Sequence, residues 1–103
     1  MYFGYNGTMR TRPGRRDEVV TLLLSGLEHP AVGCLSYVVG TDDEDADLIH
    51  VTEVWLSEQH HDDSLTLPET KDAIARAMPM LTGEFTSTRI TVLGGVGLEV
   101  GNA

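Results

Sequence analysis

Cysteine is all but missing from this chain of 103 residues: Cys34 stands alone, so no disulfide can form within it. Basic residues are scarce, seven Lys and Arg against sixteen Asp and Glu, for a net charge of −9. Phosphate backbones need clustered cations, so nucleic acid is not an expected partner. No apolar run approaches the ~20 residues that span a bilayer, and no membrane partner is expected. The opening MYFGYNGTMRTR has no apolar stretch behind a basic one, so no secretory signal is expected. With the lone thiol, that predicts a cytoplasmic protein. Aromatic residues are few, with one Trp, three Tyr and two Phe, so Trp55 stands out.

What is present is ordinary globular composition, 41% hydrophobic and 22% charged, sufficient for one modest core. Charge is unevenly placed. Residues 1–16 hold Arg10, Arg12, Arg15 and Arg16 and no acid, whereas 17–75 hold fourteen acids and only Lys71. The four arginines are available to pair with that acidic middle, or to remain a solvated surface.

The most informative stretch is Leu48–Ser64. Leu48–Leu56 is rich in β-branched and aromatic residues, and Ser57 followed by Glu58 supplies an N-cap and an acidic first turn. A strand therefore runs into a helix. Ile49, Val51, Glu53 and Trp55 share one face; Leu48, His50, Thr52, Val54 and Leu56 share the other. Neither is plainly a solvent face, which predicts an interior strand with Glu53, His50 and Thr52 partly buried.

Before it, Tyr2–Thr11 reads as a strand interrupted by Asn6-Gly7. Asn6 is either tied to backbone at a bulge or aimed into a cavity. Val19, Leu22, Leu23 and Leu27 fall at helical spacing over Arg15–Glu28, with His29-Pro30 as the stop. Gly33–Gly40 is a second strand with Leu35, Tyr37 and Val39 on one face. Thr41–Asp47 is an acidic hairpin loop lacking the glycine and glutamate of a calcium loop. After Ser57–Leu65, Pro68 starts another helix carrying Ile74, Met78 and Leu81 inward, and Pro79 ends it. Glu84–Leu93 is a fourth strand. His60 and His61 point about 100° apart on a helix, so no metal site is expected. The glycines of GGVGLEV lack the pattern of a dinucleotide loop.

The order β, α, β, β, α, β predicts a ferredoxin-like α+β fold, with four antiparallel strands and helices on one face, over residues 1–93, with 94–103 as a tail. Covering the open face of so short a chain calls for a second copy, hence a homodimer.

Arg12-Pro13-Gly14-Arg15, Gly33-Cys34-Leu35-Ser36-Tyr37 and Val51-Thr52-Glu53-Val54-Trp55-Leu56-Ser57-Glu58 together resemble the antibiotic biosynthesis monooxygenase family of dimeric α/β barrels, over residues 2–93. The resemblance implies a cofactor-independent monooxygenase acting with molecular oxygen on an electron-rich aromatic substrate such as an anthrone, a quinol or a polyketide. Trp55 and Asn6 match pocket residues of polyketide oxygenases, His61 takes the place of a pocket Tyr, and Val51 stands where they have Asn. Ser64 and Ile74 stand where haem degraders carry Trp and His, which argues against haem. Trp55, Asn6 and His61 are thus the expected catalytic residues, with His61 or His50 as base. Tyr37, Val51, Glu53, His50 and Arg89 are expected to bind substrate. A non-catalytic dimer binding a small molecule is the alternative. An isomerase of a phosphorylated signal molecule is another, with Arg89 as its phosphate contact.

Overall fold

A computed structural model describes residues 1–98. Residues 99–103, half of the expected tail, lie outside the described residues. The elements are β1 (Tyr2–Thr11), α1 (Arg16–Leu24), β2 (Cys34–Thr41), β3 (Leu48–Trp55), α2 (Glu58–Ser64), α3 (Pro68–Ala77), a 3-10 turn (Met78–Met80) and β4 (Leu81–Val92). The strands form one antiparallel sheet in the order β2-β3-β1-β4, which is the expected ferredoxin-like arrangement. Among the described residues no helix is long and apolar enough to cross a membrane.

Alternation along the central strands sorts the side chains. On β3, Ile49, Val51, Glu53 and Trp55 are buried on the face toward the helices. Register places Met9, Gly7, Tyr5 and Phe3 of β1 beside them in turn. Val19 of α1, Ala77 of α3 and Leu81 close the core around Ile49 and Val51. The other face carries Leu48, His50, Thr52 and Val54, and there His50 and Thr52 are exposed in the single chain. Of the three polar groups expected to be partly buried on β3, only Glu53 is.

Several ends differ from the expected ones, each for a local reason. α1 stops at Leu24 instead of continuing to Glu28. Ser25 turns extended with its hydroxyl and N–H on the Leu22 carbonyl, and Gly26 follows at φ 80°. β4 starts three residues early, because the Met78–Met80 turn delivers Leu81 directly opposite Thr11. Ile74 and Met78, expected in the core, are about half exposed; Ala77 is the residue of α3 that faces in. The pairing of β1 with β3 runs unbroken from Phe3 to Arg10, so there is no bulge against β3 at Asn6-Gly7. The shift on β1 lies between Met9 and Thr11, against β4.

The N-terminal arginines brace the acidic hairpin. Arg10 bonds Asp45 at 2.7 Å and Glu84 at 2.8 Å, while Arg16 donates to the carbonyls of Asp42 and Asp45. Asp42 in turn accepts the N–H groups of Glu44 and Asp45, so this loop is a folded turn. His50 and those N–H groups hold the Asp42 carboxyl below the usual range; the Asp47 N–H and Arg10 do the same for Asp45.

Gly4 serves packing on the open face. A side chain there would stand 2.6 Å from Ile90 Cγ1 and 2.7 Å from Val92 Cγ2, which lie over the bare backbone. Thr11 is the weak point of the core: it is buried, and among the described residues its hydroxyl has no hydrogen-bond partner. Thr11→Val keeps the shape and removes the unsatisfied hydroxyl. It is expected to stabilise the fold by about 1 kcal/mol, read as a higher midpoint in urea at unchanged slope.

Candidate active site

The site is built from the bottom of β3 and the helix that follows it. Ser57 caps α2 by accepting the His60 N–H, and its hydroxyl meets His60 Nδ1 at 2.7 Å. That cap turns the chain back over the sheet, and His61 lands on the inner face, 6% exposed. Its ring stacks on Tyr5 at 5.0 Å, tilts against Phe3 at 5.4 Å and meets the Trp55 ring edge-on at 5.8 Å. Nδ1 of His61 lies 3.0 Å from Asp62, and Nε2 lies 3.9 Å from Glu53 Oε1.

Glu53 is the buried carboxyl of this cluster. Its Oε1 accepts the Trp55 indole N–H at 2.9 Å. Burial raises the Glu53 carboxyl above its ordinary range, opposed by the Trp55 hydrogen bond and then by His61. Tyr37, opposite Glu53 on β2, is pushed up to about 12 by burial and then by the Glu53 charge. Cys34, opposite Trp55, is raised by the same two causes in the same order. Among the described residues no hydrogen bond uses the Tyr37 hydroxyl. A carboxyl and a phenol, both reluctant to ionise, therefore stand side by side.

Both groups line a cavity of about 190 Å³ on the inner face, together with Tyr5, Gly7, Met9 and Val51, and with Phe85 and Ser87 of β4 at its side. Its lining is mixed: apolar surface from Met9, Val51, Phe85 and the two tyrosine rings lies among the polar groups of Glu53, Tyr37, Thr8, Thr86 and Ser87.

The expected site residues divide between the two faces of the sheet. Trp55, Glu53, Tyr37, Val51 and His61 come together on the inner side. His61 stacks behind Tyr5 and is not part of the cavity wall. Asn6 pairs with Thr52 and His50 with Thr8, so both lie on the open face. There they line a second, shallower hollow of about 230 Å³ with Thr8, Thr52 and Thr88. His50 bonds Asp42 at 2.9 Å. Arg89 is on the inner face of β4, but it is bonded to Glu58 at 2.5 Å and lies over the Phe3 and Tyr5 rings, beside the cavity and outside its wall. Tyr5, Gly7, Met9, Phe85 and Ser87 were not among the expected site residues. Alternation along β1 puts Tyr5, Gly7 and Met9 on one face, but their meeting with Glu53, and the presence of Phe85 and Ser87, follow only from the register between strands. Among the described residues no three His, Cys, Asp or Glu side chains gather as a metal site.

The model of the antibiotic biosynthesis monooxygenase family matches residues 3–76. The chain belongs to this family. A candidate antibiotic biosynthesis monooxygenase from Chloroflexus aurantiacus J-10-fl is 40% identical, with 93% of this chain and 99% of that one covered and a TM-score of 0.79. Rv0793 from Mycobacterium tuberculosis, 18% identical, covers 93% and 99% at 0.78. A candidate monooxygenase of the family from Caulobacter crescentus CB15, also 18% identical, covers 90% and 91% at 0.79. The latter two speak for the fold alone. No curated protein matches. Membership supports a monooxygenase-like or small-molecule-binding function.

The raised Glu53 carboxyl makes a pH prediction whose sign follows from linkage. A carboxyl that holds its proton more tightly in the folded chain lowers stability as pH rises from its ordinary value of 4.5 through the raised folded value. Glu53→Gln abolishes that loss. The melting temperature of the variant relative to the parent is expected to climb across that window and then level off, measured by calorimetry in steps of pH.

Proposed function

We propose that this chain is a cofactor-independent monooxygenase that oxidises an electron-rich phenol or quinol with molecular oxygen, and that Glu53 is its base. The supporting observation is the Glu53 carboxyl, buried at the wall of a cavity that it shares with the Tyr37 phenol and hydrogen-bonded by the Trp55 N–H. A base raised toward neutrality suits abstraction of a phenolic proton. Tyr37, which keeps its proton at neutral pH and lines the same cavity, is in this reading the donor to the phenolate that forms.

The electron-rich anion then passes one electron to oxygen, giving a phenoxyl radical and superoxide. These join at a ring carbon, and the peroxide anion takes the proton back from Glu53. Loss of the ring C–H proton with departure of hydroxide gives a carbonyl and one water, so one oxygen atom enters the product and one leaves. The protein holds the ring, excludes water and moves one proton.

In this reading Trp55 acts through Glu53, because its N–H is already engaged by that carboxylate. His61 packs the Tyr5 and Trp55 rings in place. Asn6 and His50, on the open face, are assigned no part in proton transfer. Arg89 is already paired with Glu58, which disfavours the isomerase of a phosphorylated signal.

The test is oxygen consumption with a panel of quinols, naphthalenediols and anthrones. Glu53→Gln is expected to lower kcat at least ~10²-fold, in the range usual for loss of a general base. Trp55→Phe should move the acidic limb of the pH profile to higher pH, since it deletes the bond that lowers the Glu53 pKa. Asn6→Ala should keep its rate. A panel that binds without consuming oxygen would leave a binding module, and full activity in Glu53→Gln would assign the base elsewhere.

The reading includes a homodimer formed by face-to-face packing of the open sheet faces. Val38, opposite Thr52, and Ile90, across Gly4 from Val54, are exposed on that face. Val54→Asp is expected to shift the mass in light scattering from two chains to one. An equally stable dimer in that variant would place the interface elsewhere.

A further inference from the structure

Gly7 occupies an inner-face position on β1 where every neighbour along the strand carries a large side chain. Tyr5 precedes it and Met9 follows it, with Val51 opposite on β3 and Ser87 opposite on β4. Its φ is not in the left-handed region, so the strand geometry does not require glycine there. What glycine supplies is room. A Cβ would stand 3.0 Å from the Thr86 carbonyl oxygen and 3.2 Å from Tyr5 Cε1, both tighter than ordinary contact. The bare backbone forms part of the wall of the cavity, between Tyr5 and Met9.

The cavity is also small. At about 190 Å³ it is a little larger than the ~150 Å³ engineered cavity that takes up benzene. It falls short of the ~300 Å³ at which pockets for drug-sized ligands begin. Phe85, half exposed, stands at its open side, so rings added beyond the second would lie outside the cavity and keep their apolar surface in water. Glu53 and Ser87 reach the cavity from strands on opposite sides of β1, giving polar contacts for two oxygens of one ring system.

We infer that Gly7 is a specificity-determining residue: the room it leaves admits one-ring and compact two-ring dihydroxyarenes, which the site prefers over fused three-ring anthrones because the cavity as a whole is small. This rests on the oxygenase reading for the same cavity, but it concerns size and is measurable without turnover. Under argon, titration calorimetry with hydroquinone, 1,4-dihydroxynaphthalene and anthrone gives the ranking of affinities. In air, oxygen uptake gives the ranking of kcat/KM.

The native chain is expected to bind the naphthalenediol at least ~10-fold more tightly than anthrone. Gly7→Ala should weaken naphthalenediol binding by ~10-fold or more. Val51→Ala, which enlarges the same cavity from β3, should narrow the gap between the two ligands. If Gly7→Ala fails to fold, the native ranking and Val51→Ala still decide. Anthrone bound as tightly as the two-ring ligand, or a ranking unmoved in the folded variants, overturns the inference. The expected ranking under argon with no oxygen consumed in air sinks the oxygenase reading and leaves the size rule standing. Oxygen uptake that is equal for all three ligands does the reverse.

Discussion

The burial of one carboxyl group organises the site. Glu53 lies between Val51 and Trp55 on β3, and alternation sends all three to the same side of the sheet. Since Val51 and Trp55 are drawn into the apolar interior, Glu53 goes with them, and its desolvation is only partly relieved by the indole N–H at 2.9 Å. The effect spreads to its neighbours. Tyr37 and Cys34, on the adjoining strand, both become harder to ionise through their own burial and the Glu53 charge. Two roles therefore coincide at Trp55: it is buried at the end of β3 away from the Ile49 core, against the His61 ring, and its N–H holds the Glu53 carboxyl group.

Two glycines on one strand act on opposite faces. Gly4 lets Ile90 and Val92 lie against the sheet on its open side, which flattens that face. Gly7, three residues on and so on the other face, leaves the gap that becomes the cavity. Between them sits Tyr5, whose ring separates the cavity from His61. The separation bears on mechanism, because a histidine at the cavity wall would be the first choice for a base. Here it is packed among Phe3, Tyr5 and Trp55 with Nδ1 at Asp62.

The acidic hairpin shows how a large excess of one charge is tolerated. Asp42 and Asp45 spend their carboxylates on backbone N–H groups, on His50 and on Arg10, and Arg16 collects the carbonyls behind them. Arg10 and Arg16 come from either side of the first turn, which ties the start of α1 to the far hairpin. Such exposed pairs add little stability individually, and their contribution here is the shape of the loop.

Local signals in the chain determined the elements and their order. β-branched alternation over Leu48–Trp55, the Ser57 cap and Pro68 at a first helical position are short-range effects, legible without any partner. They were enough for the ferredoxin-like fold and for the joint burial of Glu53 and Trp55. Element ends were less legible. Ser25-Gly26 stops α1 through backbone conformation that apolar spacing does not report, and β4 gains Leu81 from its pairing with Thr11. The candidate site divided in the same way. That Trp55, Glu53 and Val51 share a face follows from alternation within one strand. That Asn6 and His50 lie on the opposite face from Trp55, whereas Tyr5, Gly7 and Ser87 join Glu53 at the cavity, depends on the register between β3, β1 and β4. Register is a relation between segments distant along the chain, and a shift of one residue exchanges the two faces. Only the assembled sheet decides it.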